Sequence, residues 1–323
     1  MATNGHPQSA HQNGSDSAAV NGHSDSVPNH TNDPKAIILW SHPRSTSTMF
    51  ERMFLNRPND FTVLHEPLGD SYYFGPERMS PRYSPAKCAS DFPQHKDLTF
   101  AKQWEEIVNA TVAEPGAPPK VFIKDMAQYI IPPPTVAPSC PKDQMSADEN
   151  PTVIPTEILL NPNIAHTFLI RHPEKSVPSY YRLCSGDKMA ITGFEYFDPE
   201  EVGLRESRML HAFIRKRRGV GTPEPLVIDS ADLIRNPNPI MERYCEHVGV
   251  PFSLDMLEWQ SGQQEHFKKW VGFHDDAEQS TGIGKCSPRK DKPSTEEMPE
   301  IVKQAIQANI ADYEHMRQFA LQI

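Results

Sequence analysis

Five short apolar runs, alternating for the most part with stretches of helical spacing, constrain this chain more than any other feature. They lie at 36–40, 61–64, 120–124, 166–170 and 225–228. A strand with one wet face alternates apolar and polar residues. These runs are continuous, as expected of strands covered on both faces of a parallel sheet. The segments between them read as helices at 46–55, where Met49, Met53 and Phe54 recur at helical spacing, and at 98–112, 174–183, 200–218 and 239–248, the last closed by Gly249. A final helix is expected at 295–319. The pattern predicts an α/β fold, a single three-layer domain over 35–323 with helices on both faces of a central parallel sheet.

Outside that pattern the sequence is less regular. Residues 1–34 are rich in Ser, Asn, His, Gly and Asp and poor in large apolar groups, which predicts a disordered tail. The tail's four histidines are irregularly spaced, so solvated low-complexity sequence explains them without a metal. The proline-rich stretch 131–155 reads as a long loop or lid, in a chain with 32 prolines in all.

Composition narrows the functional classes. A formal charge of -10 argues against wholesale nucleic-acid binding, and the basic run Arg215–Arg218 reads as a solvated helix end. The five cysteines are scattered without C-x-x-C spacing, which suggests reduced thiols and neither a zinc knuckle nor a disulfide framework. No apolar run approaches the roughly 18 residues of a membrane span. The first 33 residues lack the apolar core of a signal peptide. A cytoplasmic protein with no membrane partner is expected.

Two segments carry chemistry. The first is strand–loop–helix, with Ser41-His42-Pro43-Arg44-Ser45-Thr46-Ser47-Thr48 between the first strand and its helix. A helix N-terminus offers unpaired N–H groups and a positive dipole end, and hydroxyls and an Arg beside it suit a phosphate or sulfate. Ser and Thr are also ordinary helix caps, so the segment has a purely structural reading too. It is not a Walker A loop, which discourages a kinase. The second segment runs Phe168-Leu169-Ile170-Arg171-His172-Pro173, with Ser179 eight residues beyond Arg171. That spacing lets both side chains converge on one phosphate.

Taken together, and separated by roughly 120 residues, the two segments resemble the nucleotide-binding motifs of the PAPS-dependent sulfotransferase family (PAPS is 3′-phosphoadenosine 5′-phosphosulfate). Val227–Leu233 and the later Val248-Gly249-Val250-Pro251 resemble a further family segment, so the likeness extends from Lys35 to Pro251. It implies a P-loop-like nucleotide site, PAPS as co-substrate, no metal, and a small-molecule hydroxyl or amine as acceptor, in a role suited to specialised (secondary) metabolism. It also implies that Arg44, Ser45, Thr46, Ser47 and Thr48 hold the 5′-phosphosulfate, and that Arg171 and Ser179 hold the 3′-phosphate. Lys285, in a Gly-containing loop, is a further candidate for that phosphate. The family usually has Gly where Thr46 stands.

The same resemblance leaves the base unassigned. Many relatives place a His two residues after a strand-ending Lys, and here Lys124 is followed by Asp125 and Met126. Methionine accepts no proton. Glu66, just past the second strand, is the substitute, with His65 and Asp125 as alternatives, and Lys124 is expected to stabilise the departing nucleotide. Two other readings keep the fold: sulfation-assisted elimination or cyclisation, and a nucleotide-binding module without turnover.

Overall fold

A computed structural model describes residues 34–111, 118–133, 147–220, 222–285 and 297–323, all within one compact unit, Asn32–Ile323. Most of the expected tail, the middle of the proline-rich stretch and residues 295–296 of the last expected helix therefore lie outside the described residues. Five strands form one sheet: β1 (Ala36–Ser41), β2 (Phe61–His65), β3 (Lys120–Met126), β4 (Ile164–Ile170) and β5 (Leu226–Asp229). Their order is β2-β3-β1-β4-β5, and every pairing is parallel.

Alternation along each strand builds two cores. Ile38, Trp40, Ile123, Phe168 and Val227 face one side, packed with Leu210 and Phe213 of the helix Leu204–Arg217 and with Val302 and Ile306 of the helix Glu300–Arg317. Ile37, Leu39, Phe122, Leu169 and Ile228 face the other, against α1 (Ser47–Leu55) and the helix Pro237–His247. On that second side Phe54 stacks on Phe122, ring centroids 3.8 Å apart. Each such buried ring contributes about 1.5–3 kcal/mol. The architecture is the expected three-layer α/β arrangement.

Several boundaries differ from the sequence reading. Strand β3 runs two residues further than its apolar stretch, because Asp125 and Met126 still pair with Trp40 and Ser41. The helix expected from residue 200 begins at Leu204, because Gly203 adopts φ 78° and a side chain there would strike the Gln128 amide at 2.4 Å. The last described helix is Glu300–Arg317. The short helices Pro85–Asp91, Thr156–Leu159 and Lys188–Thr192 carry too few turns to show periodicity and were not expected.

β1 sits between β3 and β4, so the chain departs to opposite sides of it. The crevice at the carboxyl end of such a strand is where open α/β sheets bind ligands. Both sequence motifs end there. The basic run at 215–218 is engaged elsewhere, with Arg215 and Arg218 on Glu224 and Lys216 on Asp148.

Candidate functional site

The loop after β1 turns sharply into α1. Arg44 and Thr46 both adopt left-handed backbone, at φ 63° and 75°. For Thr46 this costs about 1–2 kcal/mol that a Gly would not incur. The Thr46 hydroxyl bonds Ser230 Oγ at 2.7 Å, a tether that Gly would lack. Ser47 and Thr48 open α1 and line a cavity of about 550 Å³. Ser45 is fully buried behind the loop, its Oγ without a hydrogen-bond partner, and does not line the cavity.

The second motif is laced to this loop. Arg171 donates from its backbone N–H to His42 Nε2 at 3.0 Å and from Nη1 to the Arg44 carbonyl at 2.9 Å. Ser179, on the helix Pro173–Tyr181, accepts from Arg44 Nε at 3.0 Å. Arg44 also reaches the Phe273 carbonyl and pairs with Asp276 at 2.9 Å. Burial pushes the Arg171 guanidinium down to about 10, and the neighbouring Arg44 charge pushes the same way. An anion between two crowded guanidiniums relieves that repulsion.

On the far side of the cavity stands a buried polar cluster. Glu66 follows β2 with φ 46°, unusual for a residue with a side chain and a mark of functional positions. Its carboxylate accepts from the Lys124 ammonium and, at 3.0 Å, from Tyr129 Oη. Burial works to raise the Glu66 pKa, but Lys124, with His65 and His274, outweighs it and holds the carboxyl at about 2. Glu66 and Lys124 both line the cavity.

The other two base candidates are placed differently. Asp125 is fully buried, accepts from the backbone N–H of Leu68 (3.0 Å) and Met126 (2.9 Å), and does not line the cavity. It fixes the turn that carries Glu66. His65 also lies behind the wall, bonded through Nδ1 to Glu51 (2.7 Å) and through Nε2 to His274 Nε2 (3.2 Å). Met126 does line the cavity, where it supplies only apolar surface. Lys285 is half-exposed and pairs with Glu258 at 2.6 Å; its neighbour Gly284 reaches the cavity instead.

Sequence reasoning missed the segment 270–276 entirely. It contributes Trp270, Phe273, His274 and Asp276 to the cavity wall. Its Trp-Val-Gly-Phe-His-Asp-Asp composition, aromatic and titratable residues in a non-periodic stretch, was the available signal. Tyr73, Phe194, Trp270 and Phe273 pack edge-to-face and give the Glu66 side an aromatic lining. Behind Phe194 the Arg82 guanidinium stacks at 4.0 Å and pairs with Glu201.

His65, Glu66 and His274 present three metal-ligand atoms within 4.8 Å of one another. The two imidazole nitrogens already bond each other, and Lys124 occupies the Glu66 oxygen, so this set is satisfied by hydrogen bonds and carries a cation where an ion would sit. Among the described residues the three cysteines Cys88, Cys184 and Cys245 are buried free thiols. No helix among them is long and apolar enough to cross a membrane.

Comparison with known proteins bears on this arrangement. Residues 212–318 match the family model described as a sulfotransferase domain. Two Arabidopsis thaliana relatives, branched-chain-amino-acid aminotransferase-like proteins 2 and 1, are each 25% identical, over 79% and 80% of this chain and 37% and 38% of their own length. Sulfotransferase ppzF of Metarhizium majus is 26% identical over 52% of this chain and 55% of its own. The chain thus spans about a third to a half of the length of these curated relatives. A solved sulfotransferase domain from the curacin biosynthetic pathway is 16% identical with a TM-score of 0.46, covering 88% of this chain and 98% of that one.

Proposed function

We propose that this chain, whose residues 212–318 match a sulfotransferase-domain family model, moves a sulfuryl group from PAPS to a hydroxyl or amine of a small molecule. One observation carries the reading: Arg44 and Thr48 at the helix start, Arg171 and Ser179 from the second motif, and Lys124 with Glu66 all open into one cavity.

In this reading the start of α1 and Arg44 hold the phosphosulfate, with the N–H groups of residues 46–48 and the Ser47 and Thr48 hydroxyls as donors. Arg171 and Ser179 hold the 3′-phosphate. Lys124 sits where negative charge grows on the bridging oxygen as the sulfur–oxygen bond to the nucleotide breaks. Glu66, ionised at neutral pH, holds Lys124 and Tyr129 in place beside the acceptor, whose O–H or N–H proton passes to a basic group of the site. Sulfur–oxygen or sulfur–nitrogen bond formation and departure of PAP, the desulfated nucleotide, then complete an in-line displacement. Cations neutralise the donor, so the proposed step needs no metal. The aromatic lining around Glu66 suits a small, largely apolar acceptor of the kind specialised metabolism makes.

The test is calorimetric titration with PAP, wild type against Arg171→Ala. Micromolar binding weakened about tenfold or more, roughly 1.4 kcal/mol, supports the donor site. No binding to the wild type ends the reading.

A further inference from the structure

Glu66 is poorly suited to keep the acceptor's proton. Lys124 and Tyr129 hold its carboxylate and leave it weakly basic. A different set of groups stands beside it. Glu51 Oε2 bonds His65 Nδ1 at 2.7 Å, His65 Nε2 bonds His274 Nε2 at 3.2 Å, and His274 Nδ1 bonds Thr48 Oγ1 at 3.0 Å. Glu51 is fully buried in α1, and His274 and Thr48 line the cavity, so the line joins the interior to the site.

We propose that the Glu51–His65–His274–Thr48 line is the proton acceptor of the reaction, with His274 Nδ1 the atom that takes the proton; this rests on the sulfuryl-transfer reading above. Three links, each holding one hydrogen, allow two arrangements. In one, Glu51 is a carboxylic acid donating to His65 Nδ1, His65 Nε2–H donates to His274, and His274 Nδ1–H donates to Thr48. In the other, Thr48 donates to His274 Nδ1, His274 Nε2–H donates to His65, and His65 Nδ1–H donates to the Glu51 carboxylate. The two differ by one proton.

The second arrangement is the competent one. Donor binding turns the Thr48 hydroxyl toward the phosphosulfate and leaves a lone pair on His274 Nδ1. The acceptor's O–H or N–H bond breaks, its proton goes to Nδ1, and its electron pair forms the bond to sulfur while the sulfur–oxygen bond to the nucleotide breaks. The Nε2 proton of His274 passes to His65, and the Nδ1 proton of His65 passes to Glu51. Turnover therefore ends in the first arrangement, and the proton leaves by the reverse route when product departs.

The charges around the line set its pH response. Burial pushes the Glu51 carboxyl up to about 8, with Lys124 and His266 opposing and Glu66 reinforcing. Burial first, then His65, Lys124 and Arg44, disfavour a standing charge on His274, while Glu66 favours one. The competent arrangement therefore grows as pH rises through about 8.

The experiment uses the full chain, PAPS and a panel of phenols, alcohols and amines. His274→Ala is expected to lower kcat about 100-fold or more while PAP affinity holds, with added imidazole restoring part of the rate. Glu51→Gln removes the ionisable end of the line and is expected to abolish the alkaline rise in kcat. Nitrogen-15 NMR of the wild type reads the tautomer without turnover, and His274 Nδ1 is expected to lose its hydrogen as pH rises through that range. A His274→Ala enzyme within about threefold of wild-type kcat, or a Glu51→Gln enzyme that keeps the alkaline rise, overturns the proposal and leaves sulfuryl transfer standing. A wild type that transfers to nothing on the panel ends both.

Discussion

Arg44 donates from Nε to Ser179 Oγ at 3.0 Å, a bond between residues 135 positions apart that ties the first anion motif to the second. The same guanidinium pairs with Asp276 at 2.9 Å, so a carboxylate already neutralises the cation assigned to the donor's phosphosulfate. An incoming anion must share or displace it.

Asp276→Asn is accordingly expected to tighten PAP binding. The pair is partly exposed, and such pairs contribute about 0.2–1 kcal/mol, so the gain should be roughly 1.4- to fivefold. Calorimetry at low and high salt checks it. Weaker binding in the variant would instead make Asp276 a support that orients Arg44.

Thr46 holds left-handed backbone at φ 75° and bonds Ser230. Thr46→Ala and Thr46→Gly both lose that bond and differ only in the backbone. Gly is expected to be the more stable of the two by about 1 kcal/mol. Urea unfolding of the two variants measures the difference, and equal stability would remove the strain argument.

Lys124 and Glu66 form a buried pair. Lys124→Met leaves the carboxylate buried without its cation, an expected cost of about 3–5 kcal/mol. The acid response should change as well. Glu66 has a folded pKa near 2, below its ordinary 4.5. Its stabilising contribution is thus complete above 4.5 and fades as pH falls toward 2. In Lys124→Met that loss should shrink, as unfolding followed between pH 5 and 3 would show.

His166 is held neutral in the sheet. Trp40 Nε1–H donates to its Nδ1 at 3.0 Å, and its own Nε2–H donates to the Leu159 carbonyl at 2.8 Å. Burial lowers its pKa from 6.5 to about 4. The unfolded chain therefore binds the proton first, and stability present above 6.5 is lost as pH falls through that window. His166→Gln should flatten the stability profile between about pH 6 and 4 by up to about 1.4 kcal/mol per pH unit.

Much of this was legible in the chain itself. Continuous runs such as Ile37–Trp40 and Phe168–Ile170 announce strands buried on both faces, because burial on two sides leaves no position for a polar residue. Arg44, Thr48, Arg171 and Ser179 were legible because strand–loop–helix order fixes where a helix N-terminus lies, and because eight residues make two helical turns. Glu66 was legible as the carboxylate at the next strand's end. The family match falls on residues 212–318, entirely beyond those motifs.

Other features exist only once the chain is folded. Nothing local separates Asp125, spent on two backbone N–H groups, from Glu66, which opens to the cavity from the end of the neighbouring strand; Lys124 pairs with His65 across β2 and β3 and so meets Glu66. His274 and Asp276 belong to a non-periodic segment more than 200 residues beyond the loop they complete. A hydrogen-bonded line through Glu51, His65, His274 and Thr48 has no signature in sequence, because its links depend on distances between elements and the proton order on burial. Periodicity and turn chemistry specified the sheet, its helices and the anion loop; the packing of the segment 270–276 over that loop decided which groups share one cavity.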